Sequence, residues 1–65
     1  MFYQVKGFPE YEISQYKVVR RISTKEPAEV VYMGGNFIKL VNSEGGYAYV
    51  PVSDLFDLLE AAKNG

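Results

Sequence analysis

Residues 36–62 read NFIKLVNSEGGYAYVPVSDLFDLLEAA and carry strand and helix signals in one continuous run. Two apolar segments rich in strand-forming residues flank the turn composition NSEGG, which supplies the positive-φ positions that a hairpin needs. Side chains alternate between the two faces of a strand. In the returning segment one face carries Tyr47, Tyr49 and Pro51, and the other carries Ala48 and Val50. Because proline cannot donate to a ladder, this strand ends at Pro51 or lies at a sheet edge.

The same run ends in an amphipathic helix. Ser53 is the predicted N-cap, and Asp54 and Asp57 lie near the positive end of the helix dipole. The apolar stripe of this helix is broad and consists of Leu55, Phe56, Leu58, Leu59 and Ala62. Since an apolar stripe must be buried against another element, we predict an α+β fold in which one C-terminal helix packs on one face of a small antiparallel sheet.

The chain upstream of the hairpin reads as strands. β-Branched and aromatic residues are dense in segments 2–6 and 16–22, residues 11–13 form a short extended segment, and residues 28–33 make the next short strand. Gly34 and Gly35 end that strand. We therefore expect four or five antiparallel strands in one sheet. No repeat or linker interrupts the sequence, and we expect residues 1–65 to form a single small domain.

The composition argues against several classes of function. The 65 residues include neither cysteine nor histidine, so the chain lacks thiolate ligands, disulfides and the commonest general base. No apolar run reaches the roughly 20 residues that span a bilayer, and no signal-peptide pattern is present. We expect a cytoplasmic protein that is not an enzyme and that has no cofactor, metal site or membrane partner.

The net charge of −1 hides an asymmetry along the chain. Residues 1–25 carry five basic and two acidic side chains (+3), whereas residues 26–65 carry two basic and six acidic ones (−4). A basic sheet backed by an acidic helix would present one face to phosphates. The alternative is a mixed, solvated surface.

Six side chains are candidates for binding a macromolecule. In the strand predicted over residues 16–22, alternation puts Arg20 and Arg21 on opposite sides and puts Lys17 on the side of Arg21, where phosphate or base contacts are possible. Lys39 joins them from the hairpin. The rings of Tyr47 and Tyr49 suit stacking on bases or holding a peptide, although they could equally pack beneath the helix.

Residues 7–20, GFPEYEISQYKVVR, resemble the nuclease-associated modular motif at the front of HNH homing endonucleases. That motif reads, loosely, Gly-aromatic, a few residues, Tyr-x-Ile/Val-Ser-Asn, a residue, Gly, a residue, Val-Arg. The matching positions are Gly7, Phe8, Tyr11, Ile13, Ser14, Val19 and Arg20. The resemblance implies a small antiparallel sheet that contacts DNA.

The sequence departs from that motif at several positions. Gln15 stands where asparagine is usual, Lys17 stands where glycine is usual, and Pro51 and Val52 replace the His-Arg pair before the helix. No HNH catalytic module is present in the sequence, so the resemblance implies binding without cleavage.

A second resemblance covers the end of the hairpin. Residues 46–51, GYAYVP, are similar to the end of a Src-homology-3 barrel, in which an aromatic residue, a Val-Pro pair and a nearby tyrosine line a groove for proline-rich peptides. The acidic loop and the first aromatic motif of that family are missing, and a helix replaces its final short strand.

We therefore predict a non-catalytic binding module and favour double-stranded DNA as the partner. The predicted binding residues are Lys17, Arg20, Arg21, Lys39, Tyr47 and Tyr49. The alternative is a protein-binding accessory factor or inhibitor of a larger enzyme, of the kind that phages encode. A homodimer formed through an edge strand near Phe2 or Pro51 is a further expectation. A contiguous positive patch that includes Lys17, Arg21 and Lys39 would indicate nucleic acid, and an apolar tyrosine patch would indicate protein.

Overall fold

The computed structural model describes residues 1–42 and 44–64. Within these residues the chain forms six strands and one helix. The strands are β1 (Phe2–Val5), β2 (Phe8–Ser14), β3 (Val19–Arg21), β4 (Glu29–Tyr32), β5 (Asn36–Val41) and β6 (Tyr47–Pro51). A short 3₁₀ turn, Val52–Asp54, leads into the helix α1 (Leu55–Asn64). None of the helical segments in this described part of the chain is long and apolar enough to cross a membrane.

The strands form two antiparallel sheets, β1-β2-β3 and β4-β5-β6. The α+β class, the antiparallel pairing and the C-terminal helix are confirmed, but the prediction of four or five strands in one sheet is wrong. Between β3 and β4 the chain makes only an isolated bridge, which joins Arg20 and Pro27. The bonds at this bridge join Arg21 to Glu26 and Ala28 to Val19, the pairing ends before β4 begins, and β4 pairs with β5.

The strand β2 is longer than the sequence predicted, since it includes Phe8 and Pro9. Gly7 adopts a φ of 86° and turns the chain, so that Phe8 pairs with Val5 across the turn. The register shifts between Gln4 and Val5, and proline is tolerated in strands at such irregularities. The Gln4 side-chain amide donates to the Pro9 carbonyl at 2.9 Å.

The strand β3 is shorter than predicted, because residues 14–18 form a turn. The buried Ser14 hydroxyl oxygen accepts hydrogen bonds from the backbone N–H groups of Tyr16 and Val18, each at 3.1 Å. Lys17 adopts a φ of 65°, in the left-handed region. Lys17 therefore lies outside the strand, and the predicted sharing of one strand face with Arg21 does not occur.

The predicted hairpin at residues 36–51 is confirmed as β5 and β6, with Val41 paired to Tyr47 at its closed end. Its turn is organised by the Asn42 side chain, whose Oδ1 accepts from the N–H groups of Glu44 at 3.0 Å and Gly46 at 2.9 Å. Ser43, which the sequence also assigned to this turn, lies outside the described residues. The turn fixes the register and hence which side chains share a face.

The helix α1 presents a narrower apolar face than predicted. Its buried residues are Leu55, Leu59 and Ala62. The burial of Leu55 and Leu59 confirms that the helix covers part of the sheet surface, whereas Phe56 is 58% exposed and is not part of the packed stripe. Ser53 lies inside the 3₁₀ turn, where the Leu55 N–H bonds to the Val52 carbonyl. The prediction that Ser53 is the N-cap is therefore wrong.

One hydrophobic core is shared by both sheets and the helix. Its members are Val5, Tyr11, Ile13, Val19, Ile38, Leu40, Leu55, Leu59 and Ala62. The most deeply buried residues include Ile13 from the first sheet and Leu40 from the second. The Tyr11 hydroxyl accepts a hydrogen bond from the Val41 N–H at 3.4 Å and links the two sheets directly.

Candidate macromolecule-binding face

The outer face of the second sheet is rich in aromatic and aliphatic side chains. Residues paired across antiparallel strands share a face. The register pairs Lys39 with Glu29 and Tyr49, Phe37 with Val31 and Pro51, and Val41 with Tyr47. We call these eight residues, Glu29, Val31, Phe37, Lys39, Val41, Tyr47, Tyr49 and Pro51, the tyrosine face.

The direction of these side chains follows from the core. Ile38 and Leu40 on β5 are buried beneath the sheet, and a strand alternates its side chains. Lys39 must therefore point outward from between them. On β6 the same rule places Tyr47 and Tyr49 outward, with exposures of 60% and 39%. The predicted alternation of the hairpin is confirmed, and the tyrosines do not pack beneath the helix.

The two tyrosines and Lys39 contact one another. The rings of Tyr47 and Tyr49 meet edge to face, with centroids 5.4 Å apart and an interplanar angle of 75°. The Lys39 Nζ lies 5.1 Å from the Tyr47 ring centroid. An edge-to-face pair contributes about 0.5–1.5 kcal/mol and an exposed cation–π contact about 0.5–1 kcal/mol. These contacts restrict the orientation of the two rings.

A cleft of about 340 Å³ lies between the two sheets beside the tyrosine face. Its lining residues are Tyr11, Arg21, Glu26, Pro27, Ala28, Glu29, Lys39 and Val41. Arg21 contributes a cation from the first sheet and Lys39 contributes one from the second. The Arg21 guanidinium carbon lies 5.1 Å from the Tyr11 ring centroid, and its Nη1 lies 3.8 Å from a Glu10 carboxylate oxygen.

The charge of this cleft is balanced, because the carboxylates of Glu26 and Glu29 share its walls with Arg21 and Lys39. The carboxylates do not converge on one point. Across residues 1–42 and 44–64, no group of three or more acidic side chains is arranged to hold a metal ion. The cleft therefore presents positively charged hydrogen-bond donors and negatively charged acceptors side by side.

Four of the six predicted binding residues form a continuous surface: Arg21, Lys39, Tyr47 and Tyr49. Arg20 lies on the other side of β3, as the alternation predicted. Its guanidinium forms an ion pair with Glu12, the Nε lying 2.5 Å from the carboxylate oxygen, and its carbon CZ lies 3.7 Å from the centroid of the Phe2 ring. Contact with a partner would require Arg20 to give up these interactions.

Lys17 lies elsewhere, at the start of the helix. It lines a shallow groove together with Tyr16, Val52, Ser53, Leu55 and Phe56. Sequence reasoning missed this exposed apolar cluster because it assigned Tyr16 to a strand and Phe56 to the buried stripe. The usable signal was Ser14, a turn-forming residue that in fact closes the turn containing Tyr16.

A positive patch would indicate a nucleic-acid partner, and an apolar tyrosine patch would indicate a protein partner. This surface combines features of both. The patch holds two of the three specified cations, Arg21 and Lys39, together with both tyrosines. Lys17 is not part of it. Charge and aromatic surface occur side by side rather than as alternatives.

Comparisons of the chain with protein families, with curated proteins and with solved structures gave no significant match. The interpretation of the tyrosine face therefore depends on its own geometry and chemistry.

Proposed function

We propose that this protein is a non-catalytic module that binds DNA through the tyrosine face and the adjoining cleft. The observation that carries the proposal is the contiguity of Arg21, Lys39, Tyr47 and Tyr49. Cations of this kind contact phosphates and fix the orientation of a nucleic acid, while exposed aromatic rings pack against sugars and base edges. The edge-to-face contact and the cation–π contact described above hold these groups ready for binding.

The expected balance of forces follows from the small number of cations. A protein that neutralises two phosphates has a salt slope of about −1.8 in a plot of log K against log salt. The bases of a duplex are stacked on one another, so the tyrosines would pack against sugars and base edges and not between bases. Because only two cations face the DNA, binding should depend only modestly on salt.

The turn before β3 supports the resemblance on which the DNA assignment draws. Lys17 stands where the motif has glycine, and its φ of 65° is a conformation that glycine adopts most easily. The serine at the matching position, Ser14, closes the turn with its hydroxyl. The chain thus keeps the backbone shape that a glycine would favour although the glycine itself is absent.

The test is a comparison of two lysine variants that change the net charge equally. Lys39→Ala removes a cation from the tyrosine face, whereas Lys6→Ala removes an exposed cation from the turn between β1 and β2. Fluorescence anisotropy with a labelled duplex, measured at two salt concentrations, should show weaker binding for Lys39→Ala by about three- to tenfold and no change for Lys6→Ala, since only Lys39 would contact phosphate. Tyr47→Ala should weaken binding by about fivefold or more through loss of its packing against sugars and base edges.

Two results would overturn the DNA proposal. One is the absence of detectable duplex binding at low salt. The other is an equal loss of affinity in Lys39→Ala and Lys6→Ala, which would indicate a general charge effect with no defined face.

A protein partner is the second candidate, and the balanced charge of the cleft favours it. Glu26 and Glu29 would oppose phosphates, whereas protein interfaces are rich in tyrosine and phenylalanine and poor in charge at their centres. In that case the chain is an accessory factor or an inhibitor of a larger enzyme. A pull-down would then retain one specific protein on the wild type and on Lys6→Ala, and would lose it on Tyr47→Ala, while duplex binding would be absent in all three.

A further inference from the structure

Four sheet edges exist in the described part of the chain, and three of them are protected. The helix α1 packs against β1. The residues after β3 fold back onto it, since the Arg21 N–H donates to the Glu26 carbonyl and the Ala28 N–H donates to the Val19 carbonyl. The strand β6 ends in Pro51, and proline blunts an edge. These contacts make the expected edges near Phe2 and Pro51 poor sites for pairing with another strand.

The fourth edge, β4, lacks these protections over Glu29–Tyr32, since the bonds to β3 end at Ala28, just before it. Its sequence Glu-Val-Val-Tyr is rich in strand formers and contains no proline and no lysine. It has β5 on one side only. Val30 is 58% exposed and Tyr32 is 76% exposed, although Val30 lies on the same side of the sheet as the buried Ile38. The core therefore does not extend beneath β4, and unpaired backbone groups lie next to exposed apolar side chains.

We infer that β4 pairs antiparallel with β4 of a second copy of this chain, so that the two second sheets join into one continuous six-stranded sheet. A strand edge is its own complement in the antiparallel orientation, because a twofold axis perpendicular to the sheet exchanges the donors and acceptors of the two copies. The inference does not depend on the DNA proposal, since it rests on the backbone groups along the β4 edge, although Glu29 and Val31 of this strand also belong to the tyrosine face.

The side chains select one register. With the axis at Val31, Val31 faces its own copy, and Val30 of each chain faces the second copy's Tyr32. These are pairs of β-branched residues and of a β-branched residue with an aromatic one, which are favourable across strands. With the axis at Val30, Tyr32 would face Ala28, which lies outside the strand, and the aromatic pairing would be lost.

The charges on β4 are compatible with a second copy. Glu29 is its only charged residue. In the register centred on Val31, the two Glu29 residues are offset by four positions along the strands, about 14 Å at 3.4 Å per residue. This separation exceeds the screening length of about 8 Å at physiological salt. Repulsion between the two carboxylates is therefore small.

The positional test uses the absence of cysteine from the chain. Residues directly opposite each other in an antiparallel pair have Cα atoms about 4.5–5.5 Å apart, within the range of a disulfide. Val31→Cys should therefore form a disulfide-linked dimer under mild oxidation. Val52→Cys, at an exposed valine that follows β6 on the far side of β5 from β4, is the matched control and should crosslink at least about tenfold more slowly, through random encounter alone.

The second test measures association without a crosslink. The mass of the wild type in sedimentation velocity should rise from 7.4 kDa toward twice that value as concentration increases. Val30→Lys would place two lysines on the same face, offset by about 7 Å along the paired strands, and should raise the dissociation constant by about tenfold or more, because lysine at a sheet edge opposes pairing. Val52→Lys should associate like the wild type. Circular dichroism establishes that each variant is folded.

The inference is overturned if the wild type stays at 7.4 kDa up to millimolar concentration. It is equally overturned if Val31→Cys crosslinks no faster than Val52→Cys, or if Val30→Lys associates as well as the wild type. If the wild type stays monomeric, the β4 edge remains available to a strand of a different protein.

Discussion

The hydroxyl of Ser14 is buried and satisfies two backbone N–H groups of the turn that separates β2 from β3. Removing the hydroxyl leaves these two N–H donors without their acceptor, which costs about 1–2 kcal/mol of stability. We expect Ser14→Ala to lower the free energy of unfolding by that amount in a urea titration. Ser23→Ala, at an exposed serine, is the control and should change it by less than about 0.5 kcal/mol. Equal effects of the two substitutions would contradict this role of Ser14.

The positions of individual candidate residues were predictable where one strand determines them. The outward direction of Lys39, Tyr47 and Tyr49 follows from the alternation of side chains within a single hairpin. It can therefore be predicted from the sequence alone. The position of Arg21 beside Lys39 was not predictable in the same way, because it depends on how two separate sheets lie against each other. Lys17 was misplaced because its left-handed φ is set by the Ser14 hydroxyl, and strand propensity does not contain this information.

At the level of the element, the helix α1 is held by one narrow face. Leu59 is buried in the shared core, whereas Phe56 is mostly exposed. Leu59→Ala should therefore cost about 2–4 kcal/mol of stability, from the lost transfer energy and the cavity left behind. Phe56→Ala should cost less than about 1 kcal/mol, although it removes the larger side chain.

Thermal or urea unfolding, monitored by circular dichroism, measures the free energy of unfolding of Leu59→Ala and of Phe56→Ala. The total stability of a domain of this size is about 3–10 kcal/mol. At the lower end of that range, the loss expected for Leu59→Ala unfolds the protein completely, and this outcome agrees with the prediction. A larger loss for Phe56→Ala than for Leu59→Ala would mean that the helix packs on its other face.

The existence of the helix and of the final hairpin was predictable because each has a strong local periodicity. The residues at which these elements begin and end were harder to predict. The three residues after Pro51 close a 3₁₀ turn before the helix begins, and no side-chain pattern distinguishes such a turn from the first turn of an α-helix. The division into two sheets was also missed, because it depends on where the pairing between β3 and the residues before β4 stops, which no local pattern specifies.

At the level of the whole molecule, the two sheets should unfold as one unit, since neither has a core of its own. Leu40 is fully buried and belongs to the second sheet, and Tyr11 of the first sheet bonds directly to Val41. Leu40→Ala should reduce stability by about 2–4 kcal/mol. It should also lower the hydrogen-exchange protection of amides in β2 as much as in β5.

A loss of protection confined to β4, β5 and β6 would contradict a shared core. The conservative variant Leu40→Met, which keeps the volume nearly constant, is the control and should cost less than about 1.5 kcal/mol. Protection in both sheets should then remain close to that of the wild type.

The placement of the tyrosines also gives this molecule its own optical probe. The chain has no tryptophan and six tyrosines, so near-ultraviolet emission comes from phenol rings alone and is not masked by energy transfer to an indole. Tyr47 and Tyr49 lie on the proposed ligand surface, and Tyr32 lies on the open edge strand. Ligand capture and self-association should each perturb a different subset of these fluorophores, and single Tyr→Phe replacements would assign each signal to its ring without attaching a dye.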